Sequence, residues 1–180
     1  MKNELDILGD ISSKLQRLGI PFMLTGSMAL NYYAQPRFTR DIDIVVLLTP
    51  ADVPRLVEAL RDEYYVSEED AVSAVLRGRI FNLIHTESVL KVDCIVRKNN
   101  EHARAEFDRR QPVTIGGAAT FVVSKEDLIL AKLTWARSSR SQVQMTDVKN
   151  LLSLGYDQEY VDHWAEKLGV SELLKECRRG

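Results

Sequence analysis

The apolar positions of this chain change period several times, and those changes mark its elements. Leu5, Leu8, Ile11, Leu15 and Leu18 recur at helical spacing, which predicts an amphipathic helix over residues 3–18 ending before Gly19. Pro21-Phe22-Met23-Leu24 is a short apolar run after a breaker and reads as a buried strand. Gly26-Ser27 follows almost at once, and Met28 to Tyr33 reads as a helix that Pro36 ends. Asp41 to Leu48 is β-rich and continuously apolar past Asp43, as expected of a central strand. Thr49-Pro50 reads as an N-cap with proline in the first turn, opening a helix to about Asp62 with Val53, Leu56, Val57 and Leu60 on one face.

Further along, Ser67 opens a short helix through Leu76. Arg79–His85 and Leu90–Val96 read as a hairpin turning at Glu87-Ser88. Residues 100–110 read as helix, and Pro112–Ile115 and Thr120–Val123 as strands joined through Gly116-Gly117. Ser124 with Asp127 resembles a capping box. From there the pattern is helical to the end: a helix running on through Trp135, then about 143–154, 158–168 and 171–178. The expected class is therefore α/β (α+β), a mixed sheet flanked by helices. Residues 1–123 are expected to form the core, and 124–180 a C-terminal helical region packed on it, because no Pro/Gly/Ser linker separates the two.

Composition narrows the picture. The chain has 180 residues, 45% apolar and 28% charged, enough for a packed core and unlike a disordered chain. Lys plus Arg is 24 and Asp plus Glu 26, a net charge of −2 that excludes a generic polycation and disfavours a large nucleic-acid footprint. Two cysteines make no disulfide framework; Cys94 sits in an apolar run. The start of the chain has no apolar stretch of signal-peptide length, and the longest apolar run, Ile44 to Leu48, is far short of a bilayer span. A cytoplasmic protein without membrane contact is expected. His85, His102 and His163 lack metal-ligand spacing and read as structural or surface residues, and Trp135 and Trp164 read as packing.

Three features carry chemistry. Gly26-Ser27 stands between a strand and a helix, where glycine allows close approach of a phosphate and serine offers a hydroxyl beside the positive helix end; the same dipeptide also serves as a plain turn. Asp41 and Asp43 alternate, so on a strand both carboxylates project from one face about 7 Å apart at the backbone. Such a pair needs neutralising, by a divalent cation with oxygen ligands or by pairing of Asp41 with Arg37 or Arg40. Asp93 is a lone carboxylate in the apolar run Lys91 to Val96. Beside the Asp41 strand it completes a three-carboxylate cluster able to hold two metal ions; alone it reads as a strand-end Asp paired with Lys91 or Arg97.

Together these residues resemble a family. Leu24-Thr25-Gly26-Ser27-Met28-Ala29-Leu30 and Pro36-Arg37-Phe38-Thr39-Arg40-Asp41-Ile42-Asp43-Ile44 resemble the signature of the DNA polymerase β-type nucleotidyltransferases, and more narrowly the AbiEii-like branch, some of whose members are toxin–antitoxin components. The thirteen residues between Ser27 and Asp41 suit that branch. The resemblance extends to Ser124–Leu133 and Asp147-Val148. It implies Mg²⁺-dependent transfer of a nucleoside monophosphate from an NTP to a hydroxyl acceptor such as tRNA, protein or a small molecule, with a possible protein partner. It assigns metal binding to Asp41, Asp43 and Asp93, with two Mg²⁺ ions possible, and help in deprotonating the acceptor to Asp93. Gly26 and Ser27 would hold the β,γ-phosphates. Lys132, inside an apolar helix face, would reach the triphosphate or stand at a solvated helix position, and Asp147 would orient Lys132 or serve as a charge near a helix N-terminus. Arg37 and Arg40 would bind phosphates or balance Asp41 and Asp43. The rival expectation is a nucleotidyltransferase-fold module that binds nucleotide or a partner chain without turnover.

Overall fold

The computed structural model describes residues 2–179. Seven strands form one sheet: β1 (Phe22–Thr25), β2 (Ile42–Val46), β3 (Tyr64–Tyr65), β4 (Ile80–His85), β5 (Lys91–Val96), β6 (Gln111–Ile115) and β7 (Ala118–Val122). The helices are α1 (Glu4–Arg17), α2 (Gly26–Tyr33), α3 (Val53–Leu60), α4 (Glu68–Arg77), α5 (Glu101–Asp108), α6 (Lys125–Ser139), α7 (Gln142–Leu152), α8 (Gln158–Lys167) and α9 (Ser171–Arg179). The sheet order is β3-β4-β5-β2-β1-β7-β6. The β2–β5 and β1–β7 pairs are parallel and the rest antiparallel, giving the mixed sheet expected.

Local chemistry sets the element ends. Asn3 caps α1 in a reciprocal capping box with Asp6, and Gly19, at φ +67°, ends the turn after it. The Gly116-Gly117 loop between β6 and β7 has both residues at positive φ, the geometry of a type I′ hairpin turn. The helix expected from Thr49 begins as a 3₁₀ turn at Pro50–Asp52 before α3, because Thr49 and Asp52 bond each other in a box of their own. Asp41 lies just before β2 rather than in it. The two-residue strand β3 has too little period to be read from sequence.

Alternation gives the sheet two distinct faces. One carries Phe22, Leu24, Ile42, Ile44, Val46, Phe81, Leu83, Val92, Cys94 and Val96, all buried. Helix α1 packs on this face, where Ser12 and Thr120 hydroxyls lie 2.8 Å apart. The other face carries Thr25, Asp43, Val45, Asp93 and Ile95, and α5 and α6 stand over it. Leu5, expected on the buried stripe of α1, is 42% exposed because it sits in the first turn and reaches only the Gly116 loop. Among the described residues no helix is long and apolar enough to cross a membrane.

Candidate active site

The sheet register aligns the polar residues of the second face in a single row. Thr25 of β1 pairs with Asp43 of β2, Asp43 with Asp93 of β5, and Asp93 with Asn82 of β4. Adjacent strands are about 4.8 Å apart, so Asp43 and Asp93 stand side by side with like charge. The helix that follows Thr25 begins at Gly26, whose φ of +64° turns the chain sharply and brings Ser27 next to this row. Thr25, Gly26, Ser27, Thr39, Asp41, Asp43, Asp93 and Lys132 all line one cleft of about 330 Å³, whose far wall is α6.

Burial and repulsion act on these carboxylates together. Burial, then Asp93, then Asp41 push the pKa of Asp43 up to about 6. The cation nearest the row comes from β5 itself. Lys91 Nζ lies 3.1 Å from Asp93 Oδ2 and 3.7 Å from Asp41 Oδ1. Asp93 Oδ1 is buried and has no hydrogen-bond partner. Among the described residues no group of three His, Cys, Asp or Glu side chains stands in metal-holding geometry; Asp41, Asp43 and Asp93 share the cleft, but Lys91 is drawn between Asp41 and Asp93, and Asp41 stays 60% exposed at the strand entrance.

The opposite wall is a chain of charges. Lys132 and Asp147 are both buried and bond at 2.8 Å, and Lys132 also donates to Gln144. Burial lowers the Lys132 pKa, and Asp147 opposes that shift. Arg37 donates Nε and Nη2 to the two Asp147 oxygens at 3.2 Å each, and Nη2 also donates to Ser27 Oγ at 2.6 Å. The loop carrying Arg37 is held by Asn31, which exchanges two 2.9 Å bonds with its backbone. The two arginines stand in different surroundings. Arg37 joins Ser27 and Asp147 instead of balancing Asp41 or Asp43. Arg40 is exposed and lies over the Phe38 ring, away from the cleft lining.

One tryptophan differs from expectation. Trp135 is no packing residue: it is 60% exposed, one turn beyond Lys132, at the mouth of the cleft. Helical period alone does not distinguish an indole facing a cavity from one facing the core. Trp164, by contrast, is buried. The sequence pattern also does not single out Glu106, which the α5–α6 packing brings into the cleft lining. Its signal, an acidic residue four positions after His102 on one helix face, is too common to stand out.

The sequence that builds this cleft matches a family model. The family described as "Nucleotidyl transferase AbiEii toxin, Type IV TA system" matches residues 12–136, well over half the chain. The chain belongs to this AbiEii nucleotidyltransferase toxin family. It is accordingly a nucleotidyltransferase, and its family ties it to toxin–antitoxin systems. No curated protein gives a significant sequence match. Solved structures share the fold of this AbiEii-family chain at low identity. An antigenic nucleotidyltransferase-like protein from Paracoccidioides brasiliensis aligns with a TM-score of 0.61 at 14% identity, over 95% of this chain and 91% of that one. The antibiotic-resistance factor ANT(2'')-Ia gives 0.57 at 15% identity over 98% of both chains. The lincosamide antibiotic adenylyltransferase LnuA, solved with lincomycin bound, gives 0.55 at 18% identity over 82% of this chain and 96% of that one.

Proposed function

We propose that this cleft moves a nucleoside monophosphate from an NTP to a hydroxyl acceptor with the help of divalent cations, Mg²⁺ first among them. The observation that carries this is the row of Thr25, Asp43 and Asp93, with Gly26-Ser27 at one end and Lys132 opposite. A triphosphate needs positive charge and backbone N–H groups along its length, and acidic side chains at the phosphorus that reacts.

The residues fit a divalent cation. Hard carboxylate oxygens are the ligands Mg²⁺ takes. The partnerless Asp93 Oδ1 and the crowded charge of Asp43 are what a bound cation would satisfy. Asp41, Asp43 and Asp93 would hold it. When bound, the cation supplies charge neutralisation at the α-phosphate and a lowered pKa for the attacking hydroxyl.

The protein's own groups do the rest. Gly26 lets the start of α2 approach the β,γ-phosphates, and Ser27 offers its hydroxyl there. Lys132 and Arg37, held by Asp147, neutralise the pyrophosphate as it leaves. The acceptor oxygen forms its bond to the α-phosphorus while the bond from that phosphorus to the bridging oxygen breaks. The acceptor proton passes to the Asp93 carboxylate. Positioning and charge stabilisation are the main contributions, as in other phosphoryl-group transfers. The acceptor, whether RNA, protein or small molecule, enters past Asp93 and Asn82, the open end of the row. A toxin–antitoxin partner chain and a cytoplasmic setting accompany this reading.

The test is transfer of label from NTP carrying a radioactive α-phosphate in a cell extract, with Mg²⁺ and with EDTA. Mg²⁺-dependent labelling by wild type, absent in Asp43→Asn, supports the reading. Labelling by the variant at the wild-type rate overturns it.

A further inference from the structure

Two parallel strands put four charged side chains at the corners of one rectangle. Asp43 and Asp93 pair directly across β2 and β5. Carried back two residues, the same register sets Asp41 opposite Lys91. The corners stand about 4.8 Å apart across the strands and about 7 Å apart along them. Three corners are carboxylates that line the cleft, and the fourth is an ammonium. Lys91 Nζ reaches from its corner to two of the others, 3.1 Å from Asp93 Oδ2 and 3.7 Å from Asp41 Oδ1.

A pair of divalent cations on one carboxylate cluster stands about 3.5–4 Å apart, each about 2.1 Å from its oxygen ligands. With Asp41, Asp43 and Asp93 as the ligands, one ion of such a pair needs the space between Asp41 and Asp93. That space holds the Lys91 ammonium. Resting on the reading of the cleft as a metal-dependent NTP site, we propose that Lys91 is a built-in cation in the place of a second metal ion, so that the carboxylates hold one divalent cation and not two.

The oxygens are already divided between the two cations. Asp93 gives Oδ2 to Lys91, while its Oδ1 is buried and has no partner. Asp41 turns Oδ1 toward Lys91, which leaves its second oxygen for the ion. Asp43 makes no ion pair with Lys91, so both its oxygens stay available to the ion. Charge agrees with this count. Three ionised carboxylates and one ammonium leave two negative charges, which one divalent cation balances. An ammonium is a compact point charge that donates hydrogen bonds and takes no oxygen ligands from solution as a metal does. Lys91 therefore neutralises the outer side of the cluster permanently and fixes which Asp93 oxygen is left on the buried side. It acts on the reaction through Asp93, as a positioning residue.

The test counts Mn²⁺ bound to the protein together with the α,β-methylene analogues of ATP, GTP, CTP and UTP, whose bridge at the α-phosphorus does not break. Equilibrium dialysis gives the number of ions per chain. Paramagnetic resonance shows whether two of them lie close enough to couple. Wild type is expected to hold one Mn²⁺ per chain with an uncoupled spectrum. Lys91→Met is expected to take up a second ion and to show the coupled spectrum of a close pair. Lys91→Arg restores a cation at the corner and is expected to return the count to one. Lys91→Gln serves if Lys91→Met does not fold. A lysine that only supports the fold would leave the count unchanged in every folded variant. A coupled pair of ions in wild type overturns the proposal, as does a single ion in folded Lys91→Met or Lys91→Gln. A wild type that binds neither Mn²⁺ nor any analogue would instead remove the NTP site itself, and the role of Lys91 with it.

Discussion

A methyl group added to Gly26 would lie 2.1 Å from Asp43 Oδ2, inside any permissible contact. The Gly26 turn and the Asp43 carboxylate are thus built against each other, and the absence of a side chain at Gly26 lets both occupy the cleft. Gly26→Ala meets two penalties. The positive φ costs about 1–2 kcal/mol for a residue with a β-carbon, and Asp43 must move. Gly19 has nearly the same φ, +67°, and a methyl group added there would meet nothing within 4 Å. Gly19→Ala should therefore lose stability of that first kind while keeping nucleotide binding, and Gly26→Ala should lose both. Equal melting temperatures and equal nucleotide affinities for the two variants would deny the close approach any role.

Lys91 occupies the carboxylates that the proposed cation would use. It pairs with Asp93 at 3.1 Å and reaches toward Asp41 at 3.7 Å. Lys91→Met should cost little stability, about 0–1 kcal/mol, because the side chain is 41% exposed. It should raise the affinity of the nucleotide-free protein for Mg²⁺. Titration calorimetry measures this directly, and weaker Mg²⁺ binding in the variant would mean that Lys91 assists the cation.

The Lys132–Asp147 pair separates structure from function. Both side chains are buried. Lys132→Met leaves Asp147 with Arg37 alone and should be destabilising, below the roughly 3–5 kcal/mol typical of a fully orphaned buried charge. Adding Asp147→Leu should recover much of that stability, since two apolar groups replace a buried pair. Tripolyphosphate affinity should stay low in both. Recovery of affinity together with stability would show that Lys132 acts through folding.

Much of this arrangement is legible in the sequence, for identifiable reasons. The alternation of Asp41 and Asp43 and the apolar setting of Asp93 announce two polar positions in buried strands, and the strands lie where the pattern puts them. The hairpins β4–β5 and β6–β7 follow from turn residues. What stays hidden depends on packing between distant segments. Arg37 meets Asp147 across 110 positions of sequence, so nothing local distinguishes that partner from Asp41. The cavity side of α6 and the entry of Glu106 depend on how α5 crosses the sheet, which no periodicity encodes. The exposure of Trp135 escapes the pattern for the same reason.

Glu106 should carry a stability cost in the empty protein. Its folded pKa, about 8, lies above the ordinary value of 4.5. The folded state thus holds a proton that the unfolded state releases, and stability falls as pH rises from about 4.5 through 8. Asp127 adds to the shift from the neighbouring helix. Glu106→Gln removes the titrating group, so its melting temperature should exceed that of wild type at pH 8 and match it near pH 4. A gain at pH 4 that vanishes at pH 8 would reverse the sign and contradict the burial argument.

In the proposed function Asp41 and Asp43 serve a metal-bound triphosphate and not the fold. The most direct measurement is pyrophosphate release from NTP, run beside thermal melting, for wild type and Asp41→Asn/Asp43→Asn. Wild type should release pyrophosphate in a Mg²⁺-dependent way in the presence of cell extract as acceptor source, and the double variant should release none. The double variant should also melt at or above the wild-type temperature, because two clustered like charges have been removed. Release by the double variant at the wild-type rate, or loss of its folded state together with a wild type indifferent to Mg²⁺ and NTP, would contradict it.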